Sequence, residues 1–369
     1  MSSPRPFSFA ICIPTYKRPQ LLQLLLADLA EQTLRPDTLV IVDGDPASGD
    51  VRRMLGEQAF LSNWNVVYQP SNYGNLSYQR YLGWRLVART PAEIILYFDD
   101  DQRITQRDVT EWLVRPFASS DTVGVGCYSR MATTTADPAA AHLITKRSTN
   151  WLVQRFGSRA SLRLQPGQLT PTGSRVALID DGRDYFETSW LQGRIMAYSM
   201  NAIRQDTFSA DLFALDHIRC GLGEDTFLSR RVGARGRLLY TFRAVVDHPN
   251  ADTPKSYPFE AYHYAYAATY SRRFQNDYYR VYQRPTRADR LALLKSYGGG
   301  ILLAWARAIR KPDSTNVARA RGTLLGALHG LTRPPTAQRL TPGIDWWKAA
   351  DEALVNAATV QQATPVAGK

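Results

Sequence analysis

Three consecutive carboxylates, Asp99, Asp100 and Asp101, close the apolar run Ile94 to Phe98. Adjacent carboxylates repel one another unless a cation neutralises them. Oxygen-only ligands suit a hard divalent ion, Mg²⁺ or Mn²⁺. The alternative is a solvated acidic turn, and the place of the triplet at the end of a strand favours the ion. A second acidic group, Glu224-Asp225, follows Gly223 where a helix is expected to open. A carboxylate there either caps the helix or stands as a general base at a fixed, accessible position. The local pattern does not choose between these. His248 follows the apolar run Ala244-Val245-Val246 and reads either as a structural residue or as a ligand.

These groups need a scaffold, and the first hundred residues supply one. The sequence predicts strands at Ser8 to Pro14, Thr38 to Val42, Trp64 to Gln69 and Ile94 to Phe98. It predicts helices at Gln20 to Gln32, with Pro19 as the opener, and at Tyr78 to Ala88. Strands separated by helices imply an α/β fold with a mainly parallel sheet covered on both faces. Ligands bind beyond the carboxyl ends of such strands, which singles out Thr15 to Arg18, Asp43 to Asp45 and Asp99 to Asp101. Residues 130 to 185 are less periodic and read as an insertion of loops and short strands. From Phe259 the chain is aromatic and basic. Pro285 and Pro312 are expected to break it into helices, and a short amphipathic helix is expected around Trp346 to Val355.

Composition narrows the class. The 369 residues carry a formal net charge of +12. Residues 270 to 340 hold 14 Lys/Arg and 3 Asp/Glu, a net of +11, and residues 341 to 369 hold 2 and 3, a net of −1. That leaves 12 − 11 + 1 = +2 for residues 1 to 269. A nearly neutral body thus precedes a basic segment, which reads as a solvated helical face, a nucleic-acid contact or an anionic membrane surface. No nucleic-acid module motif accompanies it, so no nucleic-acid partner is expected. The longest apolar runs, such as Ile301 to Ala306, fall far short of the roughly 20 residues of a bilayer span. The N-terminus lacks the pattern of a secretory signal, so a cytoplasmic protein starting near Met1 is expected. Cys12, Cys127 and Cys220 are few and scattered, and are expected to be buried free thiols.

Six segments, in order over about residues 8 to 250, resemble inverting glycosyltransferases of family 2, which have the GT-A fold. ICIPTYKRP is similar to the family's first strand and nucleotide loop, and LVIVDGD to its second strand. NYGNLSYQRYLG resembles its N-x-G and R-N segment, and ILYFDDDQ its DXD strand. SWLQGRIMAYSMNAIRQ resembles its acceptor-side W-x-x-G segment. GLGEDTFLSRRVGARGRLLYTFRAVVDH resembles the stretch from its GED motif to its closing histidine. Gly44 stands where the family often has a second Asp, and Tyr81 replaces the Asn of the R-N pair.

The resemblance implies roles. Pro14, Thr15, Tyr16 and Arg18 line the nucleotide pocket. Asp43 accepts the base N3–H, favouring a UDP- or dTDP-sugar. Arg80 lies near the base or diphosphate, and Asp99, Asp100 and Asp101 face the donor. Asp99, Asp101 and His248 hold Mn²⁺ or Mg²⁺. Asp225 is the catalytic base, and Trp190, Gly193 and Glu224 are on the acceptor side. The implied partners are a nucleotide-sugar donor and a glycan or lipid-linked acceptor, as in bacterial polysaccharide synthesis. The tail beginning AYHYAYAATYSRRF is similar to membrane-associated tails of that group, which would place the enzyme peripherally on the inner face of the cell membrane. The same aromatic and basic pattern equally suits a helix packed on the catalytic domain.

The expected division is a GT-A catalytic domain over 1–258, with a nucleotide-binding half 1–125 and an acceptor-binding half 126–258, and a basic helical C-terminal region over 259–369. A sugar-phosphate nucleotidyltransferase would require a glycine-rich loop that Pro14 to Arg18 does not provide. A non-catalytic glycan- or membrane-binding scaffold would not need Asp101, Asp225 and His248 together.

Overall fold

The computed structural model describes residues 7–131, 165–176, 178–249 and 260–363. The N-terminal part runs β1 (Phe9–Thr15), α1 (Pro19–Ala30), β2 (Thr38–Asp43), α2 (Asp50–Glu57), β3 (Val66–Pro70), α3 (Leu76–Val87) and β4 (Ile94–Phe98). There follow α4 (Val109–Val114), β5 (Thr122–Met131), β6 (Phe186–Thr188), β7 (Ile195–Ser199), α5 (Ala210–His217), α6 (Glu224–Gly233) and β8 (Arg237–His248). The described strands form one sheet in the order β3-β2-β1-β4-β7-β5-β8-β6. β1 pairs in parallel with β2 and β4, and β2 with β3. β7 runs antiparallel between β4 and β5, and β8 is parallel to β5. This is the mixed, mainly parallel sheet of the GT-A type.

All seven residues of β1 are buried, because both faces of the sheet are covered. On one face Phe9, Ile11 and Ile13 join Ile94, Leu96 and Phe98 beneath Leu22, Leu25, Leu26 and Leu29 of α1. On the other, Ala10, Cys12, Ile95 and Tyr97 meet Tyr78, Tyr81 and Leu82 of α3. Gly83 permits the closest approach: a Cβ there would lie 2.1 Å from Cys12 Sγ. All three cysteines are buried free thiols, as expected.

The sequence reading missed α2. Its segment, Asp-Val-Arg-Arg-Met-Leu-Gly-Glu, buries only Val51 and Met54, too little apolar periodicity to register against so many charges. The predicted third strand starts two residues later, at Val66, because Ala59–Asn63 forms a 3₁₀ turn ahead of it.

The C-terminal region comprises α7 (Ala261–Asp277), α8 (Arg287–Arg310), α9 (Ser314–Thr332), α10 (Ala337–Leu340) and α11 (Trp346–Ala363). The helices break around Pro285 and Pro312, as predicted. The region is less an appendage than the sequence implied. Trp346 is buried against Tyr73, Tyr78 and Phe213, and Ala353 O of α11 accepts a 3.0 Å hydrogen bond from Gln69 Nε2. The predicted boundary at residue 258 lies outside the described residues. The aromatic stripe of α7 turns inward, with Tyr270 and Phe274 packing on Leu215, Cys220 and Phe227. Among the described residues no helix is long and apolar enough to cross a membrane.

Candidate active site

The site is built where β1 and β4 end side by side. Lys17 takes a left-handed conformation, with φ of 58°, and turns the chain so that Arg18 precedes α1 at the sheet edge. Arg18 Nη1 reaches Asp100 Oδ1 at 3.1 Å and Asp101 Oδ2 at 3.0 Å, while Thr15 Oγ1 donates to Asp100 Oδ2 at 2.7 Å. His248, the last residue of β8, brings Nε2 within 3.4 Å of Asp101 Oδ2. Pro14, Thr15, Tyr16, Arg18, Asp99, Asp100 and Asp101 line a cleft of about 120 Å³ with Gly74, Leu76 and Gln79. The backbone of Gly74 lies under the Tyr16 ring, where a Cβ would come within 2.5 Å of it.

The three aspartates are not equivalent. Burial pushes Asp99 up to about 7 against the pull of Arg80, and pushes Asp100 up to about 6 despite Arg18 and Thr15. Burial acts the same way on Asp101, but His248 and Arg18 outweigh it and hold that carboxyl below its ordinary value. Asp101 is therefore the most readily ionised member of the cluster.

The second centre opens α6. Gly223, with φ of 94°, leads into Glu224 and Asp225, and a helix N-terminus favours negative charge. Asp225 Oδ2 accepts from Gly193 N–H at 2.8 Å and Oδ1 from Thr226 N–H at 2.7 Å. The Arg175 guanidinium forms an ion pair with Asp225 Oδ1. Burial pushes Asp225 up, but Arg175 and the Gly193 N–H prevail and hold it below the usual range. Glu224 goes the other way, raised by burial and by its neighbour Asp225.

Arg80 joins the two centres. Fully buried, it donates from Nη2 to Asp99 Oδ1 at 2.9 Å and to Gly193 O at 2.7 Å, and from Nη1 to Glu224 Oε1 at 3.2 Å.

Several expectations change here. Asp43 is buried at the end of β2 and is not on the cleft wall; its oxygens accept from Asp45 N–H at 2.9 Å and Tyr68 Oη at 2.7 Å. Arg80 sits behind the cleft, where the buried carboxylates hold it, rather than beside a base or diphosphate. Trp190 is fully buried beneath Arg175, whose guanidinium lies 5.1 Å from the ring centroid, so no face is open for a ligand to stack on. Gly193 acts through its backbone on Asp225 and Arg80, and Glu224 is turned to Arg80.

Asp99, Asp101 and His248 do not assemble as a three-residue cage: among the described residues no three His, Cys, Asp or Glu side chains are placed to hold one ion. Asp99 is committed to Arg80. Asp101 and His248 do pair a carboxylate oxygen with an imidazole nitrogen, a donor set suited to Mn²⁺. They fit an ion whose remaining ligands come from substrate oxygens and water.

The sequence reading also missed Arg175 and Arg194. Arg194 is partly buried, donates to Ser129 Oγ at 2.8 Å, and accepts the Asp99 N–H on its carbonyl at 2.9 Å. It follows the quoted W-x-x-G segment directly, which is the one signal that could have found it.

Residues 10–183 match the family described as Glycosyl transferase family 2. This segment, a little under half of the chain, is similar to that family. The match covers the cleft and the acidic cluster, while Asp225 and His248 lie beyond it. The chain is also similar to mannosyltransferase PcManGT from Pyrobaculum calidifontis, solved with GDP-Man and Mn²⁺: 15% identity, 89% of this chain and 88% of that one covered, TM-score 0.47. It is similar to S. aureus TarS 1–349, solved with UDP-GlcNAc: 12% identity, 96% and 90% covered, TM-score 0.49. None of the curated proteins matches the chain.

Proposed function

We propose that this glycosyltransferase moves a sugar from a nucleotide-diphosphate donor, a UDP- or dTDP-sugar, to a glycan or lipid-linked glycan acceptor with inversion at the anomeric carbon. The observation that carries the reading is the ionised Asp101 beside His248 on a cleft walled by Pro14, Thr15, Tyr16 and Arg18, within a family 2 segment. Residues 1–258 are the catalytic domain in this reading, with donor and acceptor halves meeting near residue 125, and 259–369 is the basic helical region.

Bound at Asp101 and His248, Mn²⁺ or Mg²⁺ would offset the charge of the departing diphosphate. Arg18 orients the diphosphate by exchanging its carboxylate partners for phosphate oxygens. The cleft walls hold the nucleoside. Asp225 accepts the proton of the acceptor hydroxyl as that oxygen attacks the anomeric carbon, and the bond to the diphosphate oxygen breaks on the opposite side. Asp225 is held ionised and in place by Gly193 and Thr226, which suits it to accept a proton once the acceptor hydroxyl replaces part of the Arg175 contact. No covalent intermediate is required.

The role in bacterial cell-surface polysaccharide synthesis follows from the sequence resemblance, and so does the pyrimidine preference, which requires Asp43 to exchange its Tyr68 partner for the base N3–H. So does a location on the cytoplasmic face of the cell membrane. A thermal-shift panel of UDP, dTDP, GDP and ADP with Mn²⁺ tests the donor reading. UDP and dTDP should raise the melting temperature and the purine nucleotides should not. A panel with no shift from any nucleotide would remove the proposal.

A further inference from the structure

The α8–α9 hairpin leaves large apolar side chains in solvent in a regular pattern. On α8 they are Leu291, Leu294, Leu302, Trp305 and Ile309, the last 78% exposed. On α9 they are Val317, Leu324, Leu328 and Leu331. The spacings follow three- and four-residue steps, with Gly298 and Arg321 completing the series, so each set forms one stripe along its helix.

The two stripes share a face. α8 turns Asp289 and Ser296 to α7, where their carbonyls accept from Asn276 and Arg272. α9 turns Gly322 and Gly326 to α7 so closely that a Cβ would lie 2.3 Å from Tyr262 O and 2.6 Å from Tyr266 O. At 100° per residue both stripes lie opposite these contacts. The helices meet each other through Leu293, Tyr297 and Ala327. The outer face of the hairpin is therefore apolar along both helices. A patch of this kind on a protein surface marks an interaction site.

Charge selects the partner. The same periodicity sets the exposed Arg287, Lys295 and Arg321 in or beside the stripes, and Arg310 and Lys311 at the hairpin tip. The two acidic residues of the hairpin are spent on helix starts: Asp289 accepts from the N–H of Thr286, the residue that caps α8, and pairs with Arg280, and Asp313 caps α9. A second copy of this face would bring like charges together. An anionic bilayer would attract the cations while the leucines, Ile309 and Trp305 enter the headgroup boundary.

We infer that the outer face of the α8–α9 hairpin is a docking surface for an anionic lipid bilayer. Insertion of apolar side chains anchors it, and the basic residues select the lipid. The choice of leaflet rests on the proposed function; the surface itself does not.

The test is co-sedimentation with vesicles of mixed phosphatidylglycerol and phosphatidylcholine against phosphatidylcholine alone. Three proteins are compared: the full chain, Leu302→Glu with Leu324→Glu, and Arg287→Ala with Lys295→Ala and Arg321→Ala. The wild type should prefer the anionic vesicles by at least about tenfold, and each variant should lose at least about tenfold of that binding. The exposed positions let both variants keep the wild-type melting temperature and nucleotide-induced shift. Three results would overturn the inference: no preference for anionic vesicles, binding unchanged by the glutamates, or a wild-type dimer that the glutamates split while lipid binding stays at background. Vesicle binding without any nucleotide shift would leave this surface standing and remove the donor reading.

Discussion

At the end of β4 the ionised carboxylate, Asp101, is held by two side chains, Arg18 and His248, which keep 19% and 24% of their surface in solvent. At the start of α6 the ionised carboxylate, Asp225, is held by two backbone N–H groups and by Arg175. Side chains at a cleft mouth can swing away; backbone donors from the turn before β7 and from a helix start cannot. The first arrangement can trade its partners for a cation and a diphosphate. The second fixes one carboxylate in position and leaves only Arg175 to exchange. Each centre also carries carboxylates pushed up by burial: Asp99 and Asp100 at the first, Glu224 at the second. Arg80 bridges them, so the two centres share one buried cation.

The sharpest way to break this comparison is at Asp225. Asp225→Asn preserves the shape and removes the proton acceptor. Turnover should fall by about 10² to 10⁴ while nucleotide affinity stays at the wild-type value. Steady-state kinetics beside calorimetry separates the two, and near-normal turnover would reduce Asp225 to a helix cap.

Arg80 comes next. Arg80→Met removes a fully buried cation and leaves the partly buried Asp99 and Glu224 without it, a change worth up to about 3 kcal/mol of stability. Chemical denaturation should show that loss, and a clearly smaller one for Arg18→Met, whose own side chain keeps 19% of its surface in solvent against 1% for Arg80. Equal losses would mean that the two centres are not joined as described.

Arg175→Ala sharpens the acceptor side. Without the guanidinium, the Asp225 pKa rises, because a close opposite charge no longer favours the carboxylate. The acid limb of the kcat/KM profile should move to higher pH accordingly. An unmoved limb would separate Arg175 from the base.

The smallest effect is in stability against pH. Glu224 has a raised folded pKa, so its contribution is fully present below its ordinary value of 4.5 and is lost as pH rises toward about 7. The wild-type melting temperature should fall over that window. Glu224→Gln, neutral throughout, should lose less stability across it, the difference being on the order of 1 kcal/mol.

Much of the donor side was legible in the sequence because it is periodic. Ile94 to Phe98 is a strand in the structure as in the reading, and the acidic triplet sits at its end. Side-chain direction was not legible. Asp43 and Arg80 have the residue types of donor contacts, but Tyr68 and the buried carboxylates turn them away from the cleft. Arg175 lies in a stretch of Gly, Pro, Ser and Thr with no period, and long-range pairing that includes the Leu169–Arg175 bridge brings it over Asp225. The exposed stripes of α8 and α9 were hidden for a different reason: a helix's apolar spacing does not say whether that face meets protein or solvent.

The central claim is that Asp101, with His248, completes its site with a divalent ion and a nucleotide diphosphate. Titration calorimetry of UDP into the wild type and Asp101→Ala, each with and without Mn²⁺, tests it directly. Mn²⁺ should raise UDP affinity in the wild type by at least about tenfold, the scale on which even outer-shell partners alter a metal site, and should leave the variant unchanged. A wild-type protein that binds UDP equally well with and without Mn²⁺ would contradict the account.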